Sequence, residues 1–212
     1  MTDSATNIDR EALNPFRITP AEPEALRSIE SDAPADLQTH FGLIKDGLEA
    51  IPGVPGEAIY GAVTLRTLAL KPEIFQSWFL TEYYSVKKGE IATSTKELLA
   101  TAVSWINEGD ETPTCAPYHE GAARFEGAAE DEIASTRDWK VGRETVDSDV
   151  RALVDFGIKA AFEPTEVTDA DVDRVRALGV SDAGLVELVS SALIAYNLSA
   201  LNQVFNLVEG QG

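Results

Sequence analysis

Hydrophobic residues along most of the chain recur every three or four positions, which is the spacing of one face of an α-helix. Residues 35–51 show this plainly, with Leu37, Phe41, Ile44 and Leu48 on one face. The same spacing, interrupted at Pro and Gly, predicts further helices at 57–70, 72–89, 94–107, 114–128, 131–135, 148–162, 168–179 and 181–209. No segment shows a well-supported strand pattern. The chain is therefore predicted to form an all-α, multi-helix domain.

The predicted helix boundaries carry ordinary start signals. Pro72 falls in a first helical turn, and Thr168 and Ser181 stand at N-cap positions. The helices beginning at Ser94 and Ser181 both start with a capping Ser and continue into small, apolar residues. This similarity indicates a weak internal duplication of a helix pair.

The N-terminal segment differs from the rest of the chain. Residues 1–35 are rich in Pro, Asp, Glu and Ser and lack sustained periodicity. Such a composition is typical of an extended segment. We therefore expect an extended arm at 1–35 and a helical domain at 36–212.

Acidic residues dominate the charge, with 36 Asp and Glu against 17 Lys and Arg and a formal net charge of −19. Phosphate backbones and anionic membrane surfaces would repel such a chain, so we expect no nucleic acid and no membrane among its partners. The acidity is spread along the whole sequence. It favours a salt-adapted host, because concentrated salt screens the self-repulsion.

The cysteine and histidine content limits the possible chemistry further. One cysteine excludes an intramolecular disulfide, and the first 35 residues hold no apolar signal-peptide core, so we expect a cytoplasmic protein. The longest apolar runs are far short of the roughly 20 residues that a membrane-spanning helix needs. With two histidines and no zinc-type or nucleotide-binding motif, we expect neither a metal nor a cofactor.

The single cysteine, Cys115, stands four positions before His119 in the stretch TPTCAPYH. In a helix these positions share a face, with Cβ atoms about 5–6 Å apart. With Thr114 as N-cap, the helix N-terminus and a nearby imidazolium would lower the pKa of the thiol from about 8.5 and favour the reactive thiolate. The pattern also fits a buried cysteine beside a surface histidine without chemistry. Spacing alone leaves both interpretations open.

Glu97, on the preceding predicted helix, is a candidate proton-transfer partner of His119. It also completes a capping-box pattern, in which its carboxylate would accept a hydrogen bond from the Ser94 amide. Tyr118 could donate its hydroxyl to a substrate or pack at the helix start. For both residues the local sequence favours the structural role.

These segments resemble the AhpD-like and carboxymuconolactone decarboxylase superfamily, especially its peroxidase-related branch. The resemblance rests on KELLATAVSWIN, TCAPYHEGAARFEGA and RALVDFGIKAAFEPTEVTDADVDRVRALGVSDAGLVELV, and it covers residues 38–208. In that family one helix carries a Glu and the next begins with Cys-x-x-Cys-x-x-x-His. Glu97, Cys115 and His119 match this pattern, and Thr112 stands where the first cysteine would be.

The resemblance implies an AhpD-like fold and a peroxiredoxin-type enzyme, in which Cys115 reduces a hydroperoxide while His119 and Glu97 transfer protons. Because Thr112 cannot form the family's disulfide, an external thiol would have to reduce the sulfenic acid of Cys115. Thr112 and Tyr118 are candidate substrate-binding residues.

Two alternatives remain beside the peroxidase. Decarboxylases of the same superfamily imply acid/base chemistry by His119 and Glu97 on a small organic acid or lactone. A third possibility is a non-catalytic scaffold. Members of the family are generally homo-oligomers, so the resemblance also implies that the chain binds other copies of itself.

Overall fold

The structure, a computed structural model, describes residues 16–49, 53–109 and 113–207. Every regular element in these ranges is helical, which confirms the all-α prediction. The α-helices are α1 (Pro23–Ser31), α2 (Ala35–Glu49), α3 (Val63–Leu68), α4 (Pro72–Glu82), α5 (Thr93–Glu108), α6 (Cys115–Phe125), α7 (Glu130–Thr136), α8 (Trp139–Gly142), α9 (Ser148–Phe162), α10 (Asp169–Ala177) and α11 (Asp182–Phe205). Shorter turns are 3₁₀ at Gly56–Gly61, Arg143–Thr145 and Pro164–Glu166, and π-helical at Tyr83–Lys87.

Two hydrophobic cores organise these helices. The larger core lies among α5, α9 and α11, where Leu99, Val154 and Leu188 are fully buried. The second core lies among α1, α2 and α4 and is aromatic, with the rings of Phe41 and Phe79 4.8 Å apart. Helix α6 packs on α5 and also contacts α2, so it lies between the two cores.

A buried ion pair ties α5 to α11. The Lys96 side chain is fully buried, and its ammonium contacts the Glu187 carboxylate at 2.5 Å and the Lys88 carbonyl at 2.5 Å. Glu187 also accepts a hydrogen bond from the Glu90 amide at 2.9 Å. Because a buried charge is costly unless it is paired, these contacts fix the register of α5 on α11.

Helix α11 is the one helix in the described ranges that is long and apolar enough to cross a membrane by length and composition. Its residues Leu188, Ala192 and Ala195 are fully buried against α5 and α9. The Ser191 hydroxyl donates to the Ser85 carbonyl at 2.9 Å. Its packing is that of a core helix.

The predicted extended arm at 1–35 is wrong in its second half. Residues Pro23–Ser31 form α1, which begins with Pro at its first turn and buries Leu26 and Ile29 against α2. The helix is too short for its periodicity to stand out from the surrounding polar residues, and tertiary packing stabilises it. Residues 1–15 of the predicted arm lie outside the described part of the chain.

The single helix predicted at 57–70 is also wrong. A 3₁₀ turn ends at Gly61, and α3 begins only after Ala62, whose ψ of 111° is not helical. Gly61 and the β-branched Val63 and Thr64 lower the helix propensity at this break.

The predicted Ser caps hold at one helix and fail at the other. Ser181 caps α11 by accepting the Gly184 amide, whereas α5 begins one residue earlier than predicted, after Ala92, so Ser94 is not its cap. The duplication of a helix pair therefore stays a prediction. Helix α11 ends at Phe205, because Asn206 adopts a left-handed conformation, and its predicted end at 209 lies beyond the described residues.

Candidate active site

Glu97 and His119 meet between α5 and α6. Helix α5 places the Glu97 carboxylate in the interior, and His119 Nδ1 lies 2.8 Å from its Oε2 atom. On the other side, Lys87 Nζ donates to Glu97 Oε1 at 2.6 Å. All three side chains are at least nine-tenths buried. The capping-box interpretation of Glu97 is therefore wrong, since its carboxylate bonds Lys87 and His119 rather than the Ser94 amide.

Lys87 comes from the π-helical turn that extends α4. Such turns are uncommon and occur frequently at functional sites, because the extra residue per turn redirects the side chains that follow it. Lys87 also contacts Glu126 at 3.3 Å. The pattern of hydrophobic residues in the sequence gives no sign that this lysine turns inward.

The charges around Glu97 determine its protonation state. Burial alone would raise the pKa of this carboxyl, but the Lys87 ammonium and the His119 ring outweigh it and lower the pKa from 4.5 to about 2. Burial likewise lowers the pKa of Lys87, and the Glu97 and Glu126 carboxylates reverse this and raise it. The Lys87–Glu97 pair is thus ionised near neutral pH.

An ionised Glu97 also determines how His119 is oriented. The carboxylate can only accept a hydrogen bond, so Nδ1 of His119 must carry a proton and donate it. His119 is 1% exposed, and its Nε2 atom has no hydrogen-bond partner. In the neutral ring this nitrogen holds a free lone pair, as a general base requires.

The environment of Cys115 differs from the sequence-based expectation. The Glu108 carboxylate lies at the start of α6 and accepts the Thr114 and Cys115 amides at 2.8 Å and 3.0 Å. Its negative charge occupies the helix N-terminus that was expected to stabilise a thiolate. Thr114 stands at the N-cap position, but its hydroxyl donates to the Leu207 carbonyl at 2.9 Å instead of capping.

The thiol of Cys115 is therefore held in its neutral form. Burial, and next to it the Glu108 charge, raise the pKa of Cys115 well above its ordinary value, although a hydrogen bond from Asn202 opposes this. Asn202 Nδ2 lies 3.1 Å from the sulfur, and Thr64 donates to the Asn202 carbonyl oxygen at 2.6 Å, which orients the amide. The expected lowering of the thiol pKa is wrong, because the thiol is buried and a carboxylate occupies the helix N-terminus.

A cavity of about 610 Å³ adjoins these groups. Cys115, Tyr118 and His119 lie on its wall together, and Glu82 contributes a buried carboxylate. The rest of the wall is mostly apolar. It comes from α2, from the 3₁₀ turn at Gly56–Gly61 and its flanking residues, and from α3, α4, α11 and the start of α6. These residues are Ile44, Leu48, Val54, Ala58, Ile59, Gly61, Ala62, Thr64, Leu65, Trp78, Phe79, Pro113, Thr114, Pro117 and Leu198. A pocket of this size and character suits a small organic molecule.

Tyr118 is half-buried on the cavity wall, and its ring lies edge-on to His119 with centroids 5.1 Å apart. Burial, followed by the Glu82 charge, raises the pKa of its hydroxyl well above the ordinary value, so it remains a proton donor. Thr112, the other candidate substrate-binding residue, lies outside the described residues. Within the described ranges no group of three or more His, Cys, Asp or Glu side chains is placed to hold a metal.

The segment that carries most of these residues matches a known protein family. Residues 72–154 match the model of the carboxymuconolactone decarboxylase family. Over this segment the chain is similar to the carboxymuconolactone decarboxylase family. The matched segment includes Lys87, Glu97, Cys115 and His119, whereas the cavity wall from α2 and α3 precedes it. No curated protein matches the sequence.

Solved structures show the same fold. A peroxidase-related protein with an alkylhydroperoxidase AhpD core, from Ralstonia eutropha JMP134, aligns with a TM-score of 0.66 at 18% identity, over 92% of each chain. A peroxidase-related protein from Silicibacter sp. TM1040 aligns at 0.63 and 19%, over 90% of this chain and 94% of that one. The debrominase Bmp8, in complex with 2,3,4-tribromopyrrole, aligns at 0.60 and 16%, over 85% and 89%. At these identities the likeness establishes an AhpD-like fold for this chain and nothing beyond the fold.

Proposed function

We propose that the chain is an acid/base enzyme in which His119 moves a proton on a small, largely apolar substrate bound in the cavity. One observation carries this proposal. His119 is anchored through Nδ1 to the ionised Glu97 carboxylate, while its buried Nε2 has no partner and the ring lies on the cavity wall. A base that is fixed by a carboxylate and lies on the wall of a cavity is the arrangement that general acid/base catalysis requires.

The proposed proton path involves three residues. Nε2 of His119 accepts a proton from a carbon adjacent to the carbonyl group of a lactone or organic acid, and it returns that proton to the product. During the transfer the imidazolium is stabilised by Glu97, which is itself held by Lys87 at 2.6 Å. The apolar wall excludes water and strengthens these electrostatic contacts.

Deuterium exchange tests this proposal. The intact protein is incubated with a panel of small lactones and organic acids in D₂O, and loss of the carbon-bound hydrogen is followed by ¹H NMR. We expect exchange with at least one compound, and a decrease of at least about 100-fold in His119→Gln. Glu73→Gln serves as the control because Glu73 lies exposed on α4. Absence of exchange across the panel, or full exchange by His119→Gln, contradicts the proposal.

A thiol peroxidase is a second candidate, because Cys115 lines the same cavity as His119. In this reaction His119 takes the thiol proton as the sulfur attacks the outer oxygen of a hydroperoxide. The O–O bond breaks, the alcohol leaves with a proton, and Cys115 becomes a sulfenic acid. Two equivalents of an external thiol restore Cys115, forming water and a disulfide of that reductant. The peroxidase-related descriptions of two structural neighbours accord with this chemistry.

The protonation state of the Cys115 thiol makes the peroxidase the weaker of the two candidate functions. Burial and Glu108 raise the pKa of Cys115, so at neutral pH it holds little of the thiolate that reacts with peroxides. Cys115→Ser separates the candidates, since the acid/base reaction should persist within about threefold and the peroxidase reaction should vanish. Dimedone labelling of Cys115 after one equivalent of hydroperoxide detects the sulfenic acid directly.

The assembly and the location are proposals as well. Exposed apolar side chains on α4 and α11, such as Ile74, Val186 and Val204, offer surfaces for other copies of the chain. We propose a cytoplasmic homo-oligomer, and light scattering on the purified protein measures its mass. A scaffold without catalysis would keep these contacts and show no turnover in either assay.

A further inference from the structure

Glu82, the last residue of α4, is a carboxylate that the proposed reaction does not use. It is 4% exposed and lies on the cavity wall. No described residue donates a hydrogen bond to it, and its one ionic contact is His40 Nε2, 3.4 Å from Oε2. That distance is longer than the usual 2.7–3.2 Å of a hydrogen bond. A buried carboxylate with unused acceptor capacity is rare in a folded protein.

His40 contacts Glu82 and is not among the residues that line the cavity. Its ring is fully buried, 4.3 Å from the Phe79 ring and 5.4 Å from the Tyr83 ring, and neither ring nitrogen has a hydrogen-bond partner. The pair is therefore positioned by packing rather than by its own hydrogen bonds. This leaves the carboxylate of Glu82 available to a group entering the cavity.

The charge of Glu82 acts on other side chains of the cavity wall. It contributes to raising the pKa of the Tyr118 hydroxyl and of the Cys115 thiol, in each case after burial itself. The described residues of the wall include no Lys or Arg. The nearby Lys87, whose pKa the Glu82 charge also helps to raise, is already paired with Glu97 and Glu126. An anion entering this apolar space would meet a like charge at low dielectric, which is strongly unfavourable. A permanent cation would have to lose its hydration for a single carboxylate, which is costly as well.

We infer that Glu82, positioned by His40, is a specificity-determining residue that selects uncharged, largely apolar molecules carrying an O–H or N–H donor. The donor binds the free carboxylate oxygen, and carboxylic acids ionised at neutral pH are rejected. This deepens the proposed function and rests on it for the role of the cavity. It favours a hydroxylated lactone over an organic acid, and among peroxides it favours an alkyl hydroperoxide.

Binding of matched fluorescent probes tests the inference without turnover. The intact protein is titrated with dansylamide, which is neutral and carries an N–H donor, and with the dansyl sulfonate anion of similar size. We expect dansylamide to bind at least about tenfold more tightly. In Glu82→Gln the ratio should fall to within about threefold, chiefly through tighter sulfonate binding. Ala58→Trp, at a residue of the cavity wall, should weaken both probes and thereby locate them.

Matched controls make every outcome decisive. Glu73→Gln makes the same charge change on an exposed residue of α4 and should keep the ratio of the unaltered protein. Glu82→Asp, which keeps the charge, should keep a preference for dansylamide. If Glu82→Gln does not fold, Glu82→Ala tests the same loss of charge. Equal binding of the two probes, binding of neither, or tighter binding of the cationic dansylcadaverine overturns the inference. Selective binding without proton exchange would instead count against the proposed function alone.

Discussion

Glu97 and Glu108 lie on the same helix, α5, and both contact α6, yet they have opposite effects on the side chains of α6. Glu97 is compensated by Lys87 and His119, which lower its pKa to about 2, and it binds Nδ1 of His119, the residue that we propose as the base. Glu108 accepts hydrogen bonds from backbone amides and Asn202, and after burial itself its charge raises the pKa of Cys115. The comparison shows that the partners of a buried carboxylate determine how it changes the protonation of the neighbouring side chain.

The largest expected effect comes from removing the cation that compensates Glu97. Lys87→Met leaves the Glu97 carboxylate buried with only His119 beside it, and breaking such a pair costs about 3 kcal/mol of folding free energy. Urea unfolding at pH 7 measures the loss. Lys71→Met is the matched control, because Lys71 and its partner Glu73 are exposed and should contribute less than about 1 kcal/mol. Equal effects of the two substitutions would show that the Lys87–Glu97 contact is unimportant.

Removing the charge of Glu108 should lower the pKa of the Cys115 thiol and make it more reactive. Glu108→Gln keeps an oxygen for the amides of α6 but removes the negative charge that raises the pKa of Cys115. We expect this pKa to fall and the alkylation of Cys115 by iodoacetamide at pH 7.5 to become about tenfold faster. The rate as a function of pH gives the pKa directly. An unchanged rate, with Glu73→Gln as reference, would mean that burial alone keeps the thiol neutral.

The low pKa of Glu97 predicts how stability depends on pH. Its folded-state pKa of about 2 lies below the ordinary 4.5, so its contribution is complete above about pH 4.5 and is lost as the pH falls toward 2. The difference in unfolding free energy between the unaltered protein and Glu97→Gln should therefore be constant near neutral pH and shrink below about pH 4.5. Urea titrations from pH 7 to pH 3 measure it. A difference that stays constant down to pH 3 would contradict the assigned ion pair.

Salt should affect the acidic surface and the buried ion pairs differently. The smallest effect in this series is expected for the buried pairs. The net charge of −19 predicts that molar KCl raises the unfolding midpoint of the protein by screening surface repulsion. The loss caused by Lys87→Met should change little between dilute buffer and molar KCl, because buried pairs are weakly screened. Equal midpoints of the unaltered protein in both conditions would count against salt adaptation.

Helical periodicity was sufficient to predict the fold class. Long amphipathic segments such as α2 and α9 bury one face, and this face appears in the sequence as apolar residues at every third or fourth position. The match of Glu97, Cys115 and His119 came from the family motif. Local sequence alone favoured a capping role for Glu97, and that role was wrong because the N-cap of α5 is Ala92, two residues before Ser94. The boundaries of short elements, such as α1 and α3, depend on tertiary packing that periodicity does not express.

The groups that set the chemistry of the site were hidden for a different reason. Lys87 reaches the site from the π-helical turn after α4, Glu108 from α5 and Asn202 from α11, and no local pattern shows that distant polar side chains converge in the interior. Acidic residues are so common in this chain that Glu82 and Glu108 do not stand out. Only their burial identifies them, and burial is a property of the fold.

Nitrogen NMR of His119 tests the central claim most directly. In ¹⁵N-labelled protein, long-range correlations distinguish a protonated ring nitrogen from a bare one, and His119→Gln identifies the signals because the chain has two histidines. At a pH where the ring is neutral, we expect the proton on Nδ1 and a bare Nε2, and in Glu97→Gln this preference should weaken. A proton on Nε2, or a spectrum that Glu97→Gln leaves unchanged, would contradict the role of His119 as a base held by Glu97.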